Sequence, residues 1–377
     1  MNFDQIVNTV EKLNEVREEY LQESAGNIHL FPIEESPYSE DNPITNGFID
    51  RGDSAMITMT NLNVGEFMEI YSNVEAEIQH AKRGPRPKIS PQDGLFLTLA
   101  MLKGYFKWET FANMFDLKVS VLEKTVKSTL DKISSKLIEK FVRNICKDEQ
   151  DQQQIKFSNF PNCIEVVDVC FQPIQKPTGS FRSKKNYFSG KHHAYGIKIE
   201  CSHAPDGRLM SYSTAYPGSV HDFRIFSENV HRHLEFLQNG ETFHGVIADL
   251  GYIGIEKFIP TAVIPKKNAI LPSAKEWNYK VSFDRIICEN FYGRNKTLWW
   301  ILSGTFRWDL QEYGHVFGIC SSITNYLLLK YPLRNHECNF YRGLIADSKV
   351  QQEHLAQKKS LQRRIYRRNR NNRINKK

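Results

Sequence analysis

The stretch Ile164-Glu-Val-Val-Asp-Val-Cys-Phe171 decides how the rest of this chain is read. It is short, apolar and rich in β-branched residues, which marks a buried strand. An acid, Asp168, stands in the middle of it. A carboxylate inside a buried strand is costly unless its charge is compensated, and a divalent cation is the usual partner. The alternative is a strand residue whose side chain faces water.

Working outward, Tyr195–Cys201 and Leu209–Thr214 flank Pro205-Asp206-Gly207, a hairpin signal. His221 to Phe236 has helical spacing, and Gly245-Val-Ile-Ala-Asp-Leu-Gly251 reads as a second buried strand ending in a turn glycine. Asp249 closes that strand, and side chains at the carboxyl ends of strands point into the crevice where α/β sheets bind ligands. By itself an Asp beside Gly is also an ordinary turn former. Phe283 to Leu298 returns to helical spacing, with Arg285, Glu289, Tyr292 and Lys296 on one face and Phe283, Ile287 and Phe291 on another. Taken alone, Glu289 reads as an i,i+4 salt-bridge partner. Strand, hairpin, helix, strand and helix in this order predict an α/β fold of ribonuclease-H-like kind, a mixed sheet flanked by helices, over residues 151–345.

If Asp168, Asp249 and Glu289 converged without a cation, their repulsion would raise their pKa values and weaken the fold. Two Mg²⁺ or Mn²⁺ ions roughly 4 Å apart would hold all three ionised and supply the chemistry of phosphodiester cleavage. The triad is therefore the candidate catalytic and metal-binding set.

Upstream, Phe3–Leu21 predicts an amphipathic helix and Gly26–Met56, rich in Pro, Asn, Ser and acids, a linker, so residues 1–56 form an acidic head. Residues 57–150 predict an all-α domain. Ser90-Pro91 starts one helix, Trp108–Phe115 forms a second, and Ser120 caps a third. Three helices with tight connections suit a helix-turn-helix that reads double-stranded DNA, with Lys118, Lys124 and Lys127 on phosphates. A helical packing domain that never touches DNA has the same pattern.

The formal net charge is +7 over 377 residues, and it is unevenly spread. Residues 1–50 hold eleven acids against Lys12 and Arg17, whereas residues 358–377 hold ten Lys or Arg and no acid. The basic segment 346–377 is expected to be a disordered tail that seeks a polyanion and addresses the protein to the nucleus. Seven scattered cysteines without a C-x-x-C pair argue for reduced structural thiols. His192-His193 and His231-x-His233 lack a third ligand at matching spacing, which argues against zinc. No signal-peptide pattern and no membrane-spanning run is visible, so a protein kept inside the cell and off the membrane is expected.

The blocks VVDVCFQPI (166–174), KKNYFSGKHH (184–193), YPGSVHDFRIF (216–226), GVIADLGY (245–252), EWNYKVSFDRIICENFYGRNK (276–296) and GICSSITNYLL (318–328) together resemble the Harbinger-type DDE superfamily endonucleases, in family order. The resemblance implies a ribonuclease-H-like fold, a divalent metal cofactor and Asp168, Asp249 and Glu289 as the catalytic acids. It adds Asp222 with His221 as accessory groups, and it brings Lys184, Lys185, Lys191 and His193 near the site as a phosphate grip, with Arg285 and Lys296 beside them. Family members often work with a Myb-like DNA-binding partner, and holding two DNA ends calls for a homodimer. The chain departs from the family at Val169, where Gly is frequent, and at Leu250, where Lys or Ser is frequent; neither change removes a carboxylate. A catalytically silent, host-adopted DNA-binding or chromatin protein is the second reading.

Affinity that rests on the basic tail falls steeply as salt rises. Truncation after Ala356 is expected to flatten the slope of log affinity against log salt in a DNA-binding titration; an unchanged slope would remove the tail from the interface.

Overall fold

The structure, a computed structural model, describes residues 42–79, 89–178, 180–239 and 242–333. The predicted helix at Phe3–Leu21 and the basic tail lie outside the described residues. Among the described residues seven helices come first: α1 (Pro43–Ile49), α2 (Asp53–Thr60), α3 (Val64–Ile78), α4 (Pro91–Gly104), α5 (Trp108–Met114), α6 (Val119–Phe141) and α7 (Lys147–Gln152). The sheet region follows with β1 (Cys163–Pro173), α8 (Phe181–Tyr187), β2 (Phe188–Ser189), β3 (Ala194–His203), β4 (Leu209–Tyr212), β5 (Tyr216–Pro217), α9 (Asp222–Leu237), the small hairpin β6 (Gln238–Asn239) and β7 (Thr242–Phe243), and β8 (Gly245–Ile247). Helices α10 (Pro272–Leu298), α11 (Trp300–Ser303) and α12 (Tyr313–Lys330) close the described chain.

β1 is the axis of the sheet. It pairs antiparallel with β3, Asp168 opposite Cys201, and parallel with β8, Val166 opposite Ile247. The far edge of β3 takes β2, β5 and β4 in turn. The tight β3–β4 connection turns at Gly207, whose φ of 93° favours glycine, and Asp206 accepts from the Arg208 amide there at 3.1 Å. Helix α9 carries the chain from the antiparallel meander to β8 beside β1. This mixed sheet flanked by helices is consistent with the expected ribonuclease-H-like domain.

The two faces of the sheet differ. Val166, Cys170, Ile197, Ile199 and Cys201 join a large core with α10, α12 and the N-terminal helices. Ile164, Val167, Val246 and Ala248 pack with Phe226, Leu237 and Tyr252 on the α9 side. That second face also buries charge. Glu165 and Glu200 both contact His233 of α9, Nδ1 to Glu165 at 2.9 Å and Nε2 to Glu200 at 3.2 Å, and Ser202 donates to Glu165. His233 is thus a buried link between helix and sheet, far from the zinc ligand its spacing had raised as a question.

Several expectations need correction. Residues 43–56 are not linker: α1 begins there, because Asp93 of α4 accepts from the Thr45 amide at 2.8 Å and the Thr45 hydroxyl at 2.7 Å, capping a neighbouring helix in space. Ser90 does cap α4, accepting from the Asp93 amide at 3.1 Å. Ser120 caps nothing: α6 starts at Val119 with Lys118 in the cap position. An independent all-α domain is not supported, since Leu122, Val126 and Ile133 of α6 share one apolar core with Cys170 of the sheet and Val316 and Phe317 of α12. Asn325 of α12 fastens the two parts, donating to the carbonyls of Phe141 and Leu209 at 2.7 Å each. Among the described residues no helix is long and apolar enough to cross a membrane. Five of the six described cysteines are buried and all six are free thiols.

Burial works against the charge on His233, but Glu165 and then Glu200 outweigh it and hold the imidazole up to about 10 from an ordinary 6.5. Glu200 is also raised, chiefly by burial. A pKa raised by folding stabilises fully below the unfolded value and is lost as pH climbs through the folded one. The unfolding midpoint of the wild type should therefore fall between about pH 6.5 and pH 10 more steeply than that of His233→Gln. At neutral pH His233→Gln should itself lose about 3–5 kcal/mol by leaving buried carboxylates unpaired. Parallel pH profiles of the two proteins would contradict this link.

Candidate active site

Each acid reaches the site from a different element. Asp168 comes from the middle of β1, where Val169 and Val167 point to the α9 face and Asp168 to the α10 face. Its side chain is 17% exposed. The adjoining Val169 amide donates to Oδ1 at 2.9 Å. Burial, helped by Asp249, pushes the Asp168 carboxyl up to about 6, against the pull of Arg285 and Lys191. Asp249 is thus close enough for its charge to act on the Asp168 carboxyl.

Asp249 follows β8, the strand parallel to β1, and opens a 3₁₀ turn at Leu250–Tyr252 by accepting from the Gly251 amide at 2.7 Å. That bond makes Asp249 the turn former beside a glycine that its sequence allowed. Asp222 is the first residue of α9, with His221 as the cap, its Nδ1 accepting from the Phe223 amide at 3.4 Å. Gly251 sits between the two carboxylates. A methyl there would lie 2.8 Å from Asp249 Oδ1 and 3.1 Å from Asp222 Oδ2. Only glycine lets both acids close on this turn.

Glu289 stands on α10, one turn after Arg285, with its side chain 55% exposed. Arg285 donates to Glu289 Oε1 at 2.8 Å and to Asp168 Oδ2 at 3.3 Å, so one guanidinium ties the first acid to the third. Tyr292, the next turn on, donates to the Asp168 carbonyl at 3.2 Å. α10 is in turn pinned to the loop entering β1: Asp284 accepts from the amides of Asn159 at 2.8 Å and Phe160 at 3.1 Å. Burial works against the charge on Arg285, yet Asp168 and then Glu289 outweigh it and hold the guanidinium above its ordinary value.

Lys198 was missed in the sequence. It lies in β3, 9% exposed, and donates to Asp222 Oδ1 at 2.8 Å and to the Val220 carbonyl at 2.7 Å. The signal was present, since Lys198 and Glu200 interrupt the apolar strand Ile197-Lys-Ile-Glu-Cys201 as Asp168 interrupts β1. Tyr252 was also missed; it is fully buried, its hydroxyl without a partner among the described residues.

Of the expected phosphate contacts, Lys191 is exposed and close enough to lower the Asp168 pKa, and Lys296 lies on α10 beyond Tyr292. Lys185 and His193 are exposed and Lys184 half-buried around the short β2 edge. Lys118 stands in the cap position of α6 and Lys124 and Lys127 lie on it, and among the described residues none of the three forms an ion pair with these acids. Lys127 is paired with Glu123 at 2.9 Å and Glu312 at 3.4 Å.

Among the described residues no three acidic, His or Cys side chains are gathered tightly enough to hold a metal ion. The donor set nonetheless suits a hard divalent cation: its oxygens are carboxylate, one carboxylate is raised by burial, and Arg285 bridges two of the acids in a cation's place.

Residues 167–325 match the family model of the DDE superfamily endonucleases. The match starts beside Asp168 and ends at the fastening Asn325, so it encloses every acid of the site. It supports a DDE transposase family for this region, a family that acts on DNA and generally uses divalent metals. No curated protein matches the chain.

Gly251→Ala should leave the fold intact by circular dichroism while pushing Asp249 or Asp222 aside. Displacement of that order lowers a positioned reaction by about a hundredfold, so DNA cleavage should fall accordingly. Wild-type cleavage in the alanine variant would show that the paired approach to Gly251 is not needed.

Proposed function

We propose that this chain is a Harbinger-type transposase, a metal-dependent DNA endonuclease that cuts at transposon ends and joins the freed 3′-hydroxyl to target DNA. The observation that supports the reading is that Asp168 on β1 and Asp249, just after the parallel neighbour β8, lie close enough for their charges to interact, within the matched DDE region. Asp168, Asp249 and Glu289 are the residues that would hold the cofactor. Bound there, Mg²⁺ or Mn²⁺, in two copies in this reading, supplies Lewis acidity and lowers the pKa of water.

The protein's own part is orientation and charge. The Asp249 turn fixes one carboxylate, and Lys198 fixes Asp222 beside it. Tyr292 and Asp284 hold α10 against β1, which keeps Glu289 opposite Asp168. Lys191 and Lys296, with Lys184, Lys185 and His193 farther out, take the phosphates that flank the scissile bond. Water attacks first and releases a 3′-hydroxyl, which then attacks the target strand at the same acids. A helix-turn-helix built on α4–α6, with Lys118 and Lys124 on DNA, a homodimer, a Myb-like partner and a nuclear location complete the proposal.

Asp249→Ala is expected to abolish cleavage of terminal-repeat DNA in Mn²⁺ with the thermal unfolding curve still cooperative. Retained cleavage would sink the triad assignment; tight binding to DNA without cleavage by the wild type would favour the silent, host-adopted protein.

A further inference from the structure

The arrangement of charge around Arg285 goes beyond a phosphate contact. Both oxygens of Asp168 are engaged, Oδ1 by the Val169 amide and Oδ2 by Arg285. The same guanidinium holds Glu289 Oε1. Asp222 has Lys198, whereas Asp249 has no ion pair among the described residues. A cation that bound Asp168 and Glu289 together would therefore meet the guanidinium already in place.

We propose that Arg285 is an exchangeable internal counter-ion: it closes the acid site in the free protein, yields the carboxylates to a divalent metal, and turns to the phosphate of the incoming DNA. The inference rests on the reading of Asp168, Asp249 and Glu289 as metal ligands and adds how that site is regulated. The physical reason is competition. One positive charge spread over a planar fork bridges two carboxylates well, but it carries half the charge of a divalent ion. Displacement is feasible because Glu289 is more than half exposed and Arg285 itself retains 21% exposure. Once released, a guanidinium is matched to a phosphate, which it grips through two parallel hydrogen bonds. Metal and DNA then help each other to bind, because each removes the partner that the other must displace. Such coupling is reciprocal by linkage.

The test is calorimetric titration of Mn²⁺ into the wild type, Arg285→Gln and Asp249→Asn, each without DNA and with a saturating short duplex. Without DNA, Arg285→Gln should bind Mn²⁺ about tenfold more tightly than the wild type, in the range of ordinary coupling between sites. The duplex should tighten Mn²⁺ binding to the wild type and leave Arg285→Gln nearly unchanged. Equal Mn²⁺ affinity in the wild type and Arg285→Gln, or weaker binding in the variant, overturns the exchange while the metal site stands. Loss of binding in Asp249→Asn alone supports the metal-ligand reading; equal binding in all three proteins overturns that reading and the exchange with it, as does no binding in any of them with the duplex present. Where Arg285→Gln does not fold, Arg285→Lys carries the test, because a lysine cannot bridge both acids: Mn²⁺ binding tighter than wild type supports the exchange and an unchanged affinity overturns it.

Discussion

Charge buried on the central strands is the constraint on which this structure turns. β1 and β3 carry Glu165, Asp168, Lys198 and Glu200 into the protein, and none of these can remain there without a partner. The partners come from the two long helices that flank the sheet. His233 of α9 answers Glu165 and Glu200, Asp222 at the start of α9 answers Lys198, and Arg285 of α10 answers Asp168. Apolar burial holds the layers together, but it is non-directional and would tolerate some sliding. The ion pairs fix where along the sheet each helix sits. Placing Asp222 and Glu289 next to the strand acids is thus a by-product of satisfying the strand charges.

That logic explains what the sequence disclosed and what it withheld. Asp168 could be read because an acid in an apolar run stands out, and the same rule would have flagged Lys198 and Glu200. Asp249 and Glu289 were individually ambiguous, a turn former and a helix ion-pair member, and in the structure each is that as well. What places them near β1 is β8 lying parallel to it and α10 packing against the sheet, and local spacing shows neither. Arg285 was read as a DNA contact since a helix face shows neighbours along the helix only; its hold on Asp168 spans 117 positions. The linker assigned to residues 43–56 failed for a related reason. Asp93 caps α1 from another helix, and a cap that comes from elsewhere in the chain leaves no local trace.

The helical segment shows how far pattern can mislead about autonomy. Short helices at tight spacing suggested a separate DNA-reading unit, yet α6 packs its apolar side into the same core as α12 and the sheet. The exposed side of α6 that remains is mixed, with Lys124 and Lys132 beside Asp131 and Glu139, and Lys127 is already paired. A helix so committed to the core can present a surface to DNA only in a fixed relation to the acid site. Recognition and chemistry on this chain would then move as one body, without a hinge between them.

The acid site carries an electrostatic conflict of its own. Four carboxylates, Asp168, Asp222, Asp249 and Glu289, meet two contacting cations, Lys198 and Arg285. The excess is negative, and Asp249 adds to the rise that burial imposes on the Asp168 carboxyl. A phosphodiester brought to such a site would be repelled at short range even while Lys191 and the outer lysines attract it from farther away. A divalent cation would cancel that excess of charge and remove the conflict. The fold therefore stores at its centre an excess of negative charge, and that excess is what a cation arriving from outside would answer.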